Sequence, residues 1–202
     1  IVRDNEWGTA EEDAMRRDFT INGLFFDPSK GEVIDYVNGY SDLKKSLLRT
    51  IGSPAVRFKQ DPVRMLRLLK FEARLGFDVE AETRLALVEC RGEIIKSSQA
   101  RLLEEILRML ESGFSKPFFS IMYRQGLLFP LFPELCHFFE IDPDNQVFAF
   151  LSEVDAIHKD PEEEKIDRAA LLGCLLYPIL NKRVETQWLI DPRSVHLGII
   201  QH

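Results

Sequence analysis

The stretch "EEDAMRRDFTINGLFFD" (residues 11–27) places two arginines and an aspartate directly before a run of β-branched and aromatic residues. Charge that enters a protein interior without a partner is costly, so Arg16, Arg17 and Asp18 require partners. One interpretation is structural, with the arginines stabilising the C-terminus of a helix. The other is functional, because arginine forks bind triphosphates and an aspartate can accept a hydrogen bond from a ribose hydroxyl. The residues alone leave both interpretations open.

We call Arg16–Asp18 the RRD segment. The residues on either side of this segment predict a short helix and a hairpin. Thr9 followed by Glu12 is typical of a capping box at a helix start. The β-branched and aromatic run at residues 19–26 predicts a strand, and turn residues then lead to a second strand pattern at 32–37. We expect this part of the chain to be the edge of a sheet whose other strands are missing.

The sequence beyond residue 60 predicts an α-helical module. Hydrophobic residues recur there with helical spacing in several segments joined by short loops, and Gly76, Gly113 and Gly126 lie near the expected helix ends. From about residue 184 the pattern is weak, and no element is predicted.

The composition is that of a globular protein. The chain has 202 residues, of which 45% are hydrophobic, and this is enough for a proper core. No apolar run approaches the roughly 20 residues of a membrane helix, so we expect a cytoplasmic protein with no membrane partner. The first residue is Ile1 rather than Met, which suggests a fragment of a longer protein.

The negative charge is concentrated at one end of the chain. The net charge is -7, but residues 1–125 carry 20 Lys and Arg against 20 Asp and Glu, whereas residues 126–202 carry 6 against 13. The first part can therefore still present a basic surface to a nucleic acid. The acidic last part is more simply interpreted as a solvated face.

Neither the cysteines nor the histidines predict a metal site. Cys90, Cys136 and Cys174 are far apart in the sequence, and the C-x-x-C spacing of zinc sites is absent. We interpret them as buried or half-buried thiols in a reducing compartment. The four histidines are also scattered.

A single basic stripe distinguishes the helix predicted from Asp61 to Gly76. Asp61 followed by Pro62 is a strong helix start, with a capping carboxylate and then proline at the first helical position. Apolar residues cover most of the circumference, which predicts a buried helix. The stripe has spacings of three, three and four and consists of Arg64, Arg67, Lys70 and Arg74. It faces either water or a polyanion, such as a nucleotide or an RNA backbone.

Asp61 and Arg64, hereafter the base-reading pair, can place a hydrogen-bond acceptor beside a donor fork. The pairing edges of adenine and cytosine offer the complementary donor and acceptor, whereas guanine and uracil present the opposite polarity. The pair could thus accept A or C without a template. The structural alternative is an N-cap with its salt-bridge partner, and the sequence does not exclude it.

Three stretches resemble successive motifs of the class II nucleotidyltransferases, the family of bacterial poly(A) polymerases and CCA-adding enzymes. They are "RRDFTING" (16–23), "GEVIDYVNGYSDLKKSLLRTIGSP" (31–54) and "RFKQDPVRMLRLLKFEARLGF" (57–77). The resemblance runs from about residue 4 to 80 and continues more loosely through "ARLLEEILRMLESG" and "LLFPLFPEL". The leading "RDNEWGTAEEDAMRRDFT" is more similar to the poly(A) polymerase branch than to the CCA-adding branch.

The resemblance implies a head, neck and body arrangement. The expected fold class is mainly α, with a helical neck and body preceded by a β-hairpin remnant of a mixed α/β head. Residues 1–45 would be the C-terminal part of the head, 46–125 the neck with its nucleotide-selecting helix, and 126–202 the acidic body.

The resemblance also implies roles for individual residues. Arg17 and Asp18 would contact the triphosphate and ribose of the nucleotide. Asp61 and Arg64 would read the base edge, with Arg67 nearby. Weaker contacts to phosphate or RNA are expected from Arg16, Lys70 and Arg74.

Some further positions match the family in the segment that connects head and neck, and others differ from the family pattern. Asp35, Gly39 and Asp42 fall in the segment between head and neck. In the family, this segment supports the placement of the head relative to the neck. Gln60 stands where Glu usually precedes the base-reading Asp, Lys70 stands where Arg is common, and Gly23 replaces Ala or Ser in the strand.

The Asp-x-Asp pair through which the family binds Mg²⁺ has no equivalent in the head part of this sequence. The same spacing occurs only at Asp142 and Asp144, in the predicted body, where it is typical of a turn. The Mg²⁺ ligands of the full-length enzyme are therefore expected outside this chain, and these residues alone should not polymerise nucleotides.

The expected function is that of a fragment of a template-independent RNA nucleotidyltransferase, which adds AMP from ATP to RNA 3′ ends. Its partners would be an RNA 3′ end and a nucleoside triphosphate. One alternative is a CCA-adding tRNA nucleotidyltransferase. An alternative from another class is a non-catalytic RNA-binding protein that lacks the catalytic head.

Overall fold

Helices make up most of the described structure, which covers residues 8–141 and 146–190 of a computed structural model. The strands in these residues form two small two-stranded sheets. The predicted mainly α fold with a β-hairpin is therefore confirmed. The chain divides into two compact units, Ile1–Ser98 and Gln99–His202. The division at 45 and 125 into head, neck and body stays a prediction.

The first helix, α1, spans Ala10–Arg16 and begins as predicted. The backbone N–H of Glu12 donates to Thr9 Oγ1 at 3.2 Å, and the Thr9 N–H donates to a Glu12 carboxylate oxygen at 2.8 Å. These reciprocal bonds satisfy two N–H groups that a helix start leaves unpaired. Helix α1 ends at the RRD segment, where Arg17 is the C-cap in an extended conformation.

The hairpin is present, but its first strand starts later and its second strand ends earlier than predicted. Strand β1 is Leu24–Asp27 and pairs antiparallel with strand β2, Glu32–Asp35. The predicted strand start was wrong, because Thr20–Asn22 forms a 3-10 turn. Phe19 instead makes an isolated antiparallel bridge to Thr50, which places the residue after the RRD segment in the core.

Two short helices and a strand follow in residues that the sequence pattern left unassigned. Helix α2 is Gly39–Lys44, strand β3 is Leu47–Leu48 and helix α3 is Pro54–Gln60. Helix α3 has proline at its start, where the missing N–H is harmless. Its buried residues, Pro54 and Phe58, attach it to the core.

The buried helix predicted at residue 61 begins two residues later. Helix α4 spans Val63–Leu75 with Pro62 as its N-cap, because Asp61 instead closes helix α3. Its end is as predicted: Gly76 adopts a left-handed conformation with φ of 64°, which costs glycine little. The side chains buried along α4 are Val63, Met65, Leu66, Leu68 and Leu69.

The first unit is completed by elements that pack against α3 and β3. Strand β4, Asp78–Val79, runs parallel to β3. Helix α5, Ala81–Cys90, packs against α3 and leads into a 3-10 helix at Arg91–Lys96.

The second unit is helical throughout its described residues. Its helices are α6 (Gln99–Leu110), α7 (Ser115–Arg124), α8 (Leu128–Leu131), α9 (Pro133–Ile141), α10 (Gln146–Lys159) and α11 (Arg168–Ile190). Helix α11 continues past residue 184, where no element was predicted. Asp142 and Asp144 lie outside the described residues.

Aromatic packing and one buried carboxylate hold the second unit together. Phe118 and Phe119 are fully buried, and the rings of Phe139 and Phe148 stack with centroids 4.6 Å apart. Asp155 accepts from the backbone N–H of Ser115 at 2.6 Å and of Lys116 at 2.9 Å. A residue of α10 thereby caps the N-terminus of α7, whose own N-cap residue makes no side-chain bond.

The cysteines have the environments that the sequence predicted. Cys90 and Cys136 are buried free thiols and Cys174 is half-buried, as predicted. No helix in residues 8–141 and 146–190 has the length and apolar character that a membrane crossing requires.

Candidate nucleotide-binding site

Asp18 is the centre of the polar site in the first unit. It is only 6% exposed, although it follows two arginines in the sequence. One carboxylate oxygen accepts from the backbone N–H of Phe19 at 3.0 Å and from the side-chain amide of Asn22 at 2.8 Å. The other accepts from Arg67, whose Nε and terminal nitrogen both lie at 2.6 Å. These donors fill the four lone-pair positions of the carboxylate.

The environment of Asp18 favours its ionised form. Burial alone would raise its pKa, but the hydrogen bonds from Asn22 and Arg67 and the charge of Arg67 outweigh burial and lower the pKa. The aspartate is thus a fixed anion that orients Arg67. This contact joins the RRD segment to helix α4 across 49 positions of sequence.

Arg17 is held by three groups but keeps part of its fork available. Its guanidinium donates to Asp13 at 2.9 and 3.2 Å and to the Asn22 carbonyl at 2.7 Å, and it lies over the Phe25 ring. Arginine has five N–H donors, so these bonds leave two for a phosphate group. Arg16 is more exposed and pairs with Asp13 at 3.5 Å.

Arg57 connects the RRD segment to the residues that precede α4. One terminal nitrogen donates to the backbone carbonyls of Arg16, at 2.7 Å, and Arg17. Its own backbone carbonyl accepts from the Arg64 side chain at 3.4 Å and from the Asp61 N–H at 3.1 Å. Burial, followed by the nearby charge of Arg64, lowers the Arg57 pKa, against the opposing effect of Asp18 and Asp61.

The base-reading pair lies at the junction of helices α3 and α4. Both Asp61 and Arg64 are half-buried, and the Asp61 carbonyl accepts from the Arg64 N–H at 3.1 Å. Their side chains therefore start from one turn of the chain. The structure brings this turn together with the RRD segment through Arg57 and Arg67.

The rest of the basic stripe lies farther along α4. Lys70 is half-buried and Arg74 is exposed. Arg74 is seven residues beyond Arg67, which corresponds to about 10 Å along a helix. Their part in a site stays a prediction.

A second polar network holds the connecting segment in place. Asp42 is 4% exposed and accepts from Thr20 at 2.8 Å and from Arg49 at 3.0 Å. Arg49 also donates to Glu80 at 2.5 Å, and Glu80 accepts from Thr83 at 2.7 Å. The hydrogen bond to Asp42 is the main reason why the Arg49 pKa is raised. The sequence indicated Asp42 but not its partners.

Asp35 and Gly39 shape the start of α2. The Asp35 carboxylate accepts from the backbone N–H groups of Val37, Gly39 and Tyr40, each at 3.0 Å. Burial opposes ionisation here too, but these bonds lower the Asp35 pKa. A Cβ on Gly39 would lie 2.1 Å from the Thr20 carbonyl oxygen, so only glycine permits this approach.

Sequence reasoning missed Arg57 and Arg49 as members of the site. Arg57 is four positions before Asp61, which is the spacing of neighbours on one helix face, but that signal requires α3 to be predicted first. Arg49 carried no local signal, because its partners lie 7 and 31 positions away.

Two protein-family models match the chain. The model described as "Poly A polymerase head domain" matches residues 2–49, and that described as "Probable RNA and SrmB- binding site of polymerase A" matches residues 76–139. Together they cover more than half of the sequence, on both sides of the base-reading pair. The chain belongs to the nucleotidyltransferase family that contains poly(A) polymerases and CCA-adding enzymes.

Curated relatives come from both branches of the family. Poly(A) polymerase I of Escherichia coli O6:H1 is 36% identical over 187 residues, which is 90% of this chain and 40% of that protein. The CCA-adding enzyme of Leuconostoc mesenteroides is 43% identical over 100 residues, which is 50% of this chain and 25% of that protein. The chain thus spans about 40% of the length of the poly(A) polymerases that it matches.

Solved structures of the family have the same fold. A tRNA nucleotidyltransferase complexed with a primer tRNA and an incoming ATP analog matches 87% of this chain and 52% of its own, with a TM-score of 0.67 and 26% identity. The Bacillus stearothermophilus CCA-adding enzyme in complex with CTP matches 60% of this chain and 30% of its own, with a TM-score of 0.56 and 30% identity.

The described residues do not form a metal site. Residues 8–141 and 146–190 contain no group of three or more His, Cys, Asp or Glu side chains placed to hold a metal ion. The described residues therefore offer no set of ligands for the Mg²⁺ that is expected for the full-length enzyme.

Proposed function

We propose that this chain is the nucleotide-selecting part of a bacterial poly(A) polymerase, which adds AMP from ATP to RNA 3′ ends in the cytoplasm. The observation that carries the proposal is the contact of Asp18 with Arg67. It brings the RRD segment and helix α4 into one site. The similarity to poly(A) polymerase I over 90% of the chain supports this branch of the family.

Each group in the site has a proposed task. The two unused N–H donors of Arg17 bind phosphate oxygens of the incoming ATP. Asp18 orients Arg67, and it accepts a hydrogen bond from the ribose only by exchanging one of its present donors. Phosphoryl-transfer catalysis depends mainly on positioning and charge stabilisation, which these fixed groups supply.

Asp61 and Arg64 are proposed to select adenine. The Asp61 carboxylate accepts from the adenine amino group, and the Arg64 guanidinium donates to the adjacent ring nitrogen. Guanine offers a carbonyl and an N–H at these positions. Its carbonyl would face the Asp61 carboxylate, acceptor against acceptor, and its N–H would face the Arg64 guanidinium, donor against donor. Arg16, Lys70 and Arg74 are proposed to make weaker contacts to phosphate or RNA. The Mg²⁺ of the reaction is proposed to be held by carboxylates outside this sequence.

Addition of CCA to tRNA is the second candidate function. It is favoured by the 43% identity to a CCA-adding enzyme over 100 residues. The identity to a poly(A) polymerase is lower, 36%, but extends over 187 residues. Cytosine presents the same donor and acceptor polarity as adenine, so the base-reading pair does not distinguish the two reactions by itself.

Nucleotide incorporation by the full-length protein tests the proposal. Each of the four nucleoside triphosphates would be offered with Mg²⁺ to a generic RNA and to a tRNA that lacks CCA. Tailing of generic RNA with ATP alone is the expected result. Ordered addition of C, C and A to the tRNA would favour the second candidate, and absence of incorporation would favour a non-catalytic RNA-binding protein.

A further inference from the structure

We propose that Arg57 is a positioning residue that sets nucleotide selection by fixing the base-reading pair relative to the RRD segment. This inference rests on the proposed function. None of the sequence motifs assigned Arg57 a task, and its role follows from the way in which its side chain and backbone contact two separate segments.

The side chain of Arg57 holds the end of helix α1. The last carbonyls of a helix have no partner within the helix, and the carbonyls of Arg16 and Arg17 occupy that position. One Arg57 nitrogen donates to both. The backbone of the RRD segment is therefore fixed by a residue 40 positions later in the chain.

The backbone of Arg57 holds the other half of the site. Its carbonyl accepts from the N–H of Asp61 at 3.1 Å and from the Arg64 guanidinium at 3.4 Å. Movement of α3 relative to the RRD segment would therefore displace both members of the base-reading pair. Base discrimination depends on this distance, because the triphosphate and ribose are held at one end and the base edge at the other.

Lysine cannot replace Arg57 in this role. A lysine ammonium retains the positive charge and has three N–H donors, but its shorter and more flexible stem does not fix a nitrogen at the point where the Arg57 terminal nitrogen meets both carbonyls. Arg57→Lys therefore separates the charge of Arg57 from its positioning effect. Arg57→Gln removes the charge and keeps one donor group.

The test compares Arg57→Lys and Arg57→Gln with the wild type in the full-length protein. The kinetic readout is kcat/KM for ATP and for GTP on the same RNA, because guanine presents the polarity that the base-reading pair rejects. We expect kcat/KM for ATP to fall about tenfold to 100-fold and the ATP to GTP ratio to fall with it, since small misplacements have effects of this size. Arg91→Lys, an exposed arginine in the same unit, is the matched control and should change neither quantity.

A second readout does not depend on catalysis. Hydrogen exchange of the peptide that covers residues 14–19 should accelerate in both Arg57 variants and not in Arg91→Lys, because the RRD backbone loses its tether. An unchanged ATP to GTP ratio in the Arg57 variants would overturn the inference, and so would wild-type exchange of residues 14–19. If the wild type incorporates no nucleotide, the proposed function fails, while the exchange measurement still decides whether Arg57 holds this segment.

Discussion

Asp18 and Arg67, which are 49 residues apart in the sequence, form an ion pair in which the Nε and one terminal nitrogen of the guanidinium lie 2.6 Å from one carboxylate oxygen. Asp18 is almost fully buried, whereas about a third of the Arg67 side chain is exposed. The pair answers the question that the sequence raised, because the charge beside the hairpin has a partner within the protein. It is also the contact at which we propose that a nucleotide meets both segments.

The ion pair predicts a pH-dependent contribution to stability. We expect Asp18→Asn to lower the free energy of unfolding by about 1.5–3 kcal/mol at pH 7, the usual range for a hydrogen bond to a charged group. The folded-state pKa of Asp18 is lowered from 3.8, so the stabilisation is present above that pH. It is lost as the pH falls below 3.8 through the lower folded value.

Urea unfolding of the wild type and of Asp18→Asn from pH 7 down to pH 2 measures this difference. The two unfolding free energies should converge as the solution becomes more acidic. A difference that stays constant over the whole range would show that Asp18 stabilises the fold without being ionised.

Arg64 is expected to determine nucleotide preference. In the full-length protein, Arg64→Ala should reduce kcat/KM for ATP by about five- to 150-fold, because a bidentate base contact discriminates by about 1–3 kcal/mol. Steady-state incorporation assays with each nucleotide would measure the change, with Arg91→Ala as the exposed control. Retention of the wild-type preference by Arg64→Ala would contradict the assigned role.

Gly39 is expected to tolerate no side chain. A Cβ at this position would overlap the Thr20 carbonyl oxygen, and overpacking of this kind typically costs about 1–3 kcal/mol. Gly92 is the matched control, because a Cβ there would meet no atom within 4 Å. Thermal unfolding should show a clear loss for Gly39→Ala and little change for Gly92→Ala; equal melting temperatures would refute the steric argument.

Asp155 is expected to stabilise the second unit by capping helix α7. It accepts from the Ser115 and Lys116 backbone N–H groups and from the Ser115 hydroxyl at 2.7 Å. Asp155→Ala should lower the free energy of unfolding by about 1–3 kcal/mol, since buried N–H donors lose their acceptor. Ser115→Ala removes only the hydroxyl bond and should cost less, and a double-mutant cycle measures the part that the two side chains share.

Local features were predictable because their causes lie within a few residues. The capping box of α1 joins positions three apart, and the hairpin follows from turn residues between two strand patterns. The end of α4 at Gly76 follows from the freedom of glycine to adopt a left-handed conformation. The family was also visible from ordered motifs, and the polarity of the base-reading pair could be argued from two side chains.

Other features depended on contacts that no local pattern contains. Phe19 bridges Thr50 and the Thr20 N–H donates to the Arg49 carbonyl, so the start of the predicted first strand becomes a 3-10 turn at Thr20–Asn22. The start of α4 moves from Asp61 to Val63 because helix α3 precedes it and uses Asp61 as its C-cap. Tertiary packing overrides local preference at both places.

The sequence by itself determined the helical periodicity, the hairpin and the types of charged group available for a nucleotide. Only the tertiary structure decided which charges meet. It pairs Arg67 with Asp18 and joins Arg57 to the carbonyls of the RRD segment, although the partners are separated by 40 or more positions. The physical reason is that a buried charge or an unpaired helix carbonyl must find a partner in space, and its position in the folded chain is set by the packing of the whole unit.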